Sequence, residues 1–205
     1  MNNFTKMIRL VEISRVMPQY GYALAEISKS DQSDLAQHHY LVTFIAWSLA
    51  RIAQKGGSKV EVQKVLEYAL IHDLGELFGG DIAMPYARAN NEARTAAKQF
   101  ERLNQQYLSR FFDDPQYFDN LSAEILSAES DESLIAKLAD YIELTHYKQS
   151  VQKLSFGDLS MTREKVFGII QKIKCERAKT ALLGTVNSWL QDMSEPHQEI
   201  FEAHK

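Results

Sequence analysis

Residues 62–76 read VQKVLEYALIHDLGE, and on this stretch the fold turns. Val62, Val65, Leu66, Ala69 and Leu70 recur at intervals of three and four, which aligns them along one face of an α-helix and off any strand. Ser58 stands ahead of the stripe as a possible cap, and Gly79-Gly80 follows as a stop. The end of this apolar helix carries His72, Asp73 and Glu76, and burying three ionisable groups there without partners would be costly.

Working outward, the same helical period returns on both sides. Phe4, Met7, Ile8, Val11, Ile13 and Val16 predict a first helix, broken by Pro18 and Gly21. Residues 19–33 are polar and weakly periodic and read as a loop able to cover a site. Asp34 with Gln37 resembles a capping box. It opens a thickly buried helix through Leu41, Val42, Phe44, Ile45, Trp47, Leu49 and Ile52, ending at Gly56-Gly57. His38 falls in its first turn.

Beyond Gly80, a loop through Asp81 and Pro85 leads to a long amphipathic helix over 91–112. Its expected apolar face is Ala93, Ala97, Phe100, Leu103, Tyr107 and Phe111, with Asp113-Asp114-Pro115 at its end. A short helix over 121–128 precedes Ser130, the cap of a helix bearing Leu134, Ile135, Leu138 and Ile142, with Asp140 in its middle. A last helix runs from Thr162 through Val166, Ile170, Leu182 and Leu190, bent at Gly168 and Gly184. The pattern is all-α. One domain is expected over 1–193, with a polar tail over 194–205.

Composition agrees with a folded, helix-rich chain. Of 205 residues, 45% are hydrophobic, 24% are charged and only four are proline. A net charge of −4 argues against an electrostatic grip on a nucleic-acid backbone. No run of about 18 apolar residues predicts a membrane span, and MNNFTKMIRLVEISR lacks the apolar core of a signal peptide. The single cysteine, Cys175, suits a reducing cytoplasm and reads as a packed small residue. Trp47 and Trp189 read as core, and His39, His146, His197 and His204 as ordinary packed or solvent-facing histidines.

A divalent cation would give His72 and Asp73 the partner they need, and the mid-helix carboxylate of Asp140 calls for the same counter-charge. Imidazole with carboxylate suits manganese, cobalt, iron, zinc or nickel better than calcium. On a continuous helix Glu76 lies one turn beyond His72, placed to move a proton without binding the ion.

The string His38, then His72-Asp73, then Asp140 resembles the HD-domain metal-dependent phosphohydrolases. It is most similar to their 5'-deoxynucleotidase-like branch, which shares a His-Asp-x-x-Glu string and a Gly-Asp-x-x-x-Pro string. Here these are His72-Asp73-Leu74-Gly75-Glu76 and Gly80-Asp81-Ile82-Ala83-Met84-Pro85, followed by Lys137-Leu138-Ala139-Asp140. The resemblance covers roughly residues 4–155. It implies an HD-type helical bundle with one metal ion between helices, held by His38, His72, Asp73 and Asp140. It also implies hydrolysis of a nucleoside 5'-monophosphate and a homodimer. Glu76 and Asp81 are the expected catalytic groups, and Arg15, Arg88 and Lys137 the expected substrate cations. The branch's Arg-Trp pair, linked to sugar recognition, is Arg15-Val16 here, which predicts similar rates on ribo- and deoxyribonucleotides. Two other readings fit fewer residues. A regulatory nucleotide-binding domain without turnover would not require intact ligands, and a two-iron redox centre would need a further histidine between 74 and 139, where none stands.

Overall fold

The computed structural model describes residues 1–19, 22, 26–80 and 82–194. Among these the regular elements are helical: α1 (Asn3–Val11), α2 (Leu35–Lys55), α3 (Val62–Ile71), α4 (Met84–Ala89), α5 (Asn91–Ser109), α6 (Pro115–Ser127), α7 (Asp131–Ser150), α8 (Phe156–Lys172) and α9 (Glu176–Ser194). Short 3-10 turns at Glu12–Arg15 and Leu74–Phe78 follow α1 and α3. The one β feature among the described residues is an isolated bridge between Pro18 and Asp34, which pinches the ends of the 19–33 loop together. None of the described helices is long and apolar enough to cross a membrane.

The centre of the bundle is α2 against α3 and α7, with α8 and α9 closing one side and α5 and α6 the other. Val42, Ala46, Leu49, Ala50 and Ala53 of α2 meet Val65, Tyr68 and Ala69 of α3 and Leu134, Ile135, Leu138 and Ala139 of α7 in one apolar core. The alanines let three helix axes approach closely, and burial at about 25 cal/mol per Å² of apolar surface drives the packing.

Local signals explain most boundaries. The Asp34 side chain accepts from Gln37 N at 2.8 Å to start α2, though Gln37 itself accepts from Ser33 Oγ and completes no box. Ser130 and Ser133 cap α7 reciprocally. Four expectations need correction. The 80–90 stretch is not all loop, because the proline in the first turn of α4 starts a helix there. The short helix expected at 121 begins at Pro115, with Asp114 accepting from Tyr117 N. The chain after Thr162 is not one bent helix. Ile173 takes an extended conformation, and Asp131 accepts from the amides of Lys174 and Cys175, so α8 and α9 are separate and neither glycine lies at the break. Finally, Ser58 does not cap α3, whose N-cap is Glu61.

Burial departs from periodicity on two helices. Trp47 is 44% exposed, and Tyr40, Leu41 and Phe44 beside it on α2 are exposed as well, so this face is not core. On α5 the expected apolar face of Phe100, Leu103 and Tyr107 is exposed, while Asn104, Gln105, Leu108 and Ser109 are buried. Helix α5 turns polar side chains inward because backbone carbonyls of the turn after α3 await donors there.

Candidate metal centre

The four proposed ligands owe their places to three helices. His38 lies one turn into α2 behind the Asp34 cap, and is 1% exposed. Helix α3 ends at Ile71 with His72 as its C-cap, still in helical conformation, and the chain leaves the helix at Asp73, which at φ −113 and ψ 15 starts the 3-10 turn. Asp140 projects from the middle of α7. Their donor atoms converge. His38 Nε2 stands 3.1 Å from His72 Nε2, 3.3 Å from Asp73 Oδ2 and 3.5 Å from Asp140 Oδ1, and His72 Nε2 stands 3.2 Å from Asp73 Oδ2.

These separations suit a shared cation. Donors about 2.1 Å from one ion lie about 3.0 Å apart at right angles and about 3.4 Å apart at tetrahedral angles. The far side of each imidazole is occupied: His38 Nδ1 faces Glu143 Oε2 at 2.7 Å, and His72 Nδ1 faces the Ala69 carbonyl at 2.8 Å. Protons on both Nδ1 atoms leave two Nε2 lone pairs pointed at each other, an arrangement that demands positive charge between them. His38, His72 and Asp73 alone form a cluster able to hold a metal ion.

Electrostatics point the same way. Burial opposes protonation of His38, but hydrogen bonds to Asp73 and Glu143 outweigh it and hold its pKa well above the usual imidazole range. His72 is raised for a similar reason, chiefly by Asp73 acting against burial. Burial works against an ionised Asp73, yet His72 and His38 keep its carboxyl well below the ordinary range. Asp140 is pushed up by burial, and Asp73 opposes the pull of His72. The pocket therefore stabilises cationic charge.

The remaining expected residues fall out as follows. Glu76 sits in the 3-10 turn, with its amide donating to Asp73 O at 2.9 Å. With three residues per turn it stacks above Asp73, not one α-helical turn beyond His72, because the helix ends at Ile71. Lys137, one turn before Asp140, lines a cleft of about 440 Å³ together with Asp140 and His72. Arg88 lies on α4, and its charge reaches the Tyr141 hydroxyl beside Asp140. Arg15 is 72% exposed at its side chain and pairs with Glu12 at 3.3 Å. Asp81 lies outside the described residues.

Three neighbours of the cluster escape sequence reasoning. Glu143 is 2% exposed and is the sole carboxylate on His38 Nδ1 among the described residues; its i+3 offset from Asp140 on α7 was the available signal. His39 is buried against His72 with ring centroids 5.0 Å apart, its Nε2 lacks a partner among the described residues, and burial drives its pKa down to about 3, so it stays neutral. Tyr22 packs on Tyr147 at 4.3 Å, and its phenol is raised first by burial and then by Glu143 and Asp140. No periodicity could have pointed to a tyrosine in a polar loop.

Residues 4–192 match the profile of the YfbR-like 5'-deoxynucleotidases. The chain belongs to that family. Among its relatives, a 5'-deoxynucleotidase of Klebsiella pneumoniae is 28% identical over 128 residues, 61% of this chain, and the match spans 63% of the relative's length. One from Vibrio cholerae is 28% identical over 137 residues, 64% of this chain and 68% of the relative. Solved structures give the fold. A protein of Pyrococcus horikoshii superposes with a TM-score of 0.71 at 20% identity, covering 92% of this chain and 99% of that one. One from Pyrococcus furiosus gives 0.69 at 21%, covering 92% and 98%. In this family setting the all-α HD-type bundle and the His-Asp cluster between its helices are the architecture expected from the sequence.

Proposed function

We propose that the chain is a metal-dependent phosphomonoesterase that releases phosphate from nucleoside 5'-monophosphates. The convergence of His38 Nε2, His72 Nε2 and Asp73 Oδ2, with Asp140 Oδ1 3.5 Å from His38 Nε2, beside a cleft bearing Lys137 carries this reading. Family membership and relatives named 5'-deoxynucleotidases support it. His38, His72, Asp73 and Asp140 would hold one divalent ion, of manganese, cobalt, iron, zinc or nickel. When bound, such an ion supplies Lewis acidity and a lowered water pKa.

The protein's own groups do the rest. Glu143 fixes the His38 ring through Nδ1 and keeps Nε2 available. Glu76 takes the proton from the attacking water, and Asp81 is the second acidic group assigned to positioning that water. Lys137 offsets charge growing on the phosphoryl oxygens, helped by Arg88 from α4. Arg15 joins only by leaving Glu12. Tyr22, itself buried, helps exclude bulk water from the side of the cluster that carries Glu143.

The catalytic domain in this reading runs through residue 193 and works in the cytoplasm. A homodimer is the expected assembly, with the exposed Tyr40, Leu41, Phe44 and Trp47 face of α2 as an apolar surface for it. The test is phosphate release from ribo- and deoxyribonucleoside 5'-monophosphates by protein loaded with each metal in turn. Val16, where the related branch carries tryptophan, predicts rates on the two sugars within about tenfold, about 1.4 kcal/mol. Absence of release from every mononucleotide with every metal would refute the reading.

A further inference from the structure

Positive charge near the cluster comes from an unexpected helix. The cleft that opens on His72 and Asp140 is lined by Lys98 and Arg102 of α5 as well as by Lys137 of α7. Lys98 and Arg102 are four apart, so they lie on the same face of α5 one turn from each other. None of the three cations pairs with a carboxylate among the described residues. In a chain of net charge −4, three cations against the two carboxylates that also line the cleft, Glu101 and Asp140, leave a local excess of positive charge.

The position of α5 is not loose. Asn104 Nδ2 donates to the Gly75 carbonyl at 2.7 Å, and Gln105 Nε2 donates to the His72 carbonyl at 3.4 Å, from side chains buried against the turn. Gly75 allows this approach, because a β-carbon there would stand 2.7 Å from Glu101 Cγ and 2.8 Å from the Glu101 carbonyl oxygen. The same turn that presents His72 and Asp73 therefore fixes the register of α5. Arg102 falls two residues before Asn104 and Lys98 one turn earlier, so both are indexed to the metal cluster. Ile125 and Leu126 of α6 add an apolar lining to the same cleft. A lining that joins cations to an apolar patch fits an organic phosphate.

We propose that Lys98 and Arg102 form a phosphate-holding arm, gripping the substrate's phosphate from the α5 side while Lys137 grips it from α7. This rests on the phosphomonoesterase reading and adds to it the residues that confer affinity for the phosphate dianion. The arm acts in binding, and Lys98 and Arg102 are specificity residues for the anion.

The experiment measures equilibrium binding of inorganic phosphate, and of a nucleoside without phosphate, to metal-loaded protein, alongside steady-state kinetics on the matching 5'-monophosphate. Lys98→Ala and Arg102→Ala should each weaken phosphate binding about tenfold, since each removes one charge-assisted contact. Both should raise KM with kcat within about threefold, and leave nucleoside binding, metal content and melting temperature unchanged. Lys165→Ala on α8 removes the same charge elsewhere and should change nothing. The arm is overturned if neither variant nor the double variant weakens phosphate binding, if nucleoside binding falls equally, or if Lys165→Ala has the same effect. If the wild type binds phosphate through these residues yet hydrolyses nothing, the arm stands and the hydrolase reading fails. If it hydrolyses mononucleotides and the α5 variants bind phosphate as the wild type does, the reverse holds.

Discussion

Gly75→Ala tests the joint between the metal-bearing turn and α5. The added methyl would lie 2.8 Å from the Glu101 carbonyl oxygen and 2.7 Å from Glu101 Cγ. The γ-carbon can swing away, but the carbonyl belongs to the backbone of α5, so the helix must move by roughly half an ångström or more. Overpacking of this kind costs about 1–3 kcal/mol. The shift also strains the 2.7 Å bond from Asn104 to the Gly75 carbonyl, worth about 1 kcal/mol. Alanine recovers about 0.4–1 kcal/mol by stiffening the unfolded chain. The net loss is about 1–3 kcal/mol, or about 2–12 °C in melting temperature for a domain of this size. Gly79→Ala is the comparison. Its methyl would meet the ring edge of Phe100 at 2.9 Å, on a half-exposed side chain that can turn aside, so it should cost clearly less. Urea unfolding of the three proteins reads both values. Equal stability of Gly75→Ala and wild type would refute the account of why α5 sits where it does.

Three more outcomes follow from the site and its surroundings. Glu143→Ala strands His38 Nδ1 and should weaken metal affinity about 10–100-fold in a metal titration; Glu143→Gln, which keeps an acceptor, should lose less. Glu76→Ala should lower phosphate release about 10²–10⁴-fold while metal content holds, whereas Asp140→Ala should lose metal and activity together; equal behaviour of the two would remove the distinction between acid/base and ligand. Burial pushes the Asp158 carboxyl up, but Lys148 at 2.6 Å and Ser155 outweigh it and hold its pKa down. A lowered folded pKa gives stability that is present above the carboxylate's ordinary value and lost as the pH falls through the folded one. Asp158→Asn should therefore cost about 1 kcal/mol near neutrality and the gap should close in acid below pH ~4; a gap independent of pH would disprove the linkage.

What the sequence made legible were residues whose chemistry is conspicuous in an apolar setting. His72-Asp73 at the end of a leucine-rich helix and Asp140 among Leu138, Ala139 and Ile142 could be read because a buried charge has to be answered by another charge. The helix bearing His38 was legible through Asp34, whose cap role is purely local. Periodicity erred where a helix buries polar atoms for a tertiary reason. On α5 the pattern favours Phe100, Leu103 and Tyr107, yet Asn104 and Gln105 go inward because two carbonyls of the metal-bearing turn accept from them. The continuation of α3 through Glu76 failed for a related reason. The helix has to stop for His72 and Asp73 to face one point, and no local residue announces that stop.

That stop also accounts for the way the site is divided among the elements. A continuous α3 would put adjacent side chains about 100° apart around its axis, and the departure at Asp73, φ −113, re-aims its carboxylate so that it and His72 both stand within 3.3 Å of His38 Nε2. Ending the helix at Ile71 frees the His72 and Gly75 carbonyls, and freed carbonyls in a buried place need donors. Gln105 and Asn104 supply them, which draws α5 against the turn and places Lys98 and Arg102 over the cleft. In the proposed reading, metal ligation and phosphate binding are coupled through a single backbone irregularity. A variant that straightens this turn should lose both, whereas one that truncates a cation of α5 should lose only the anion.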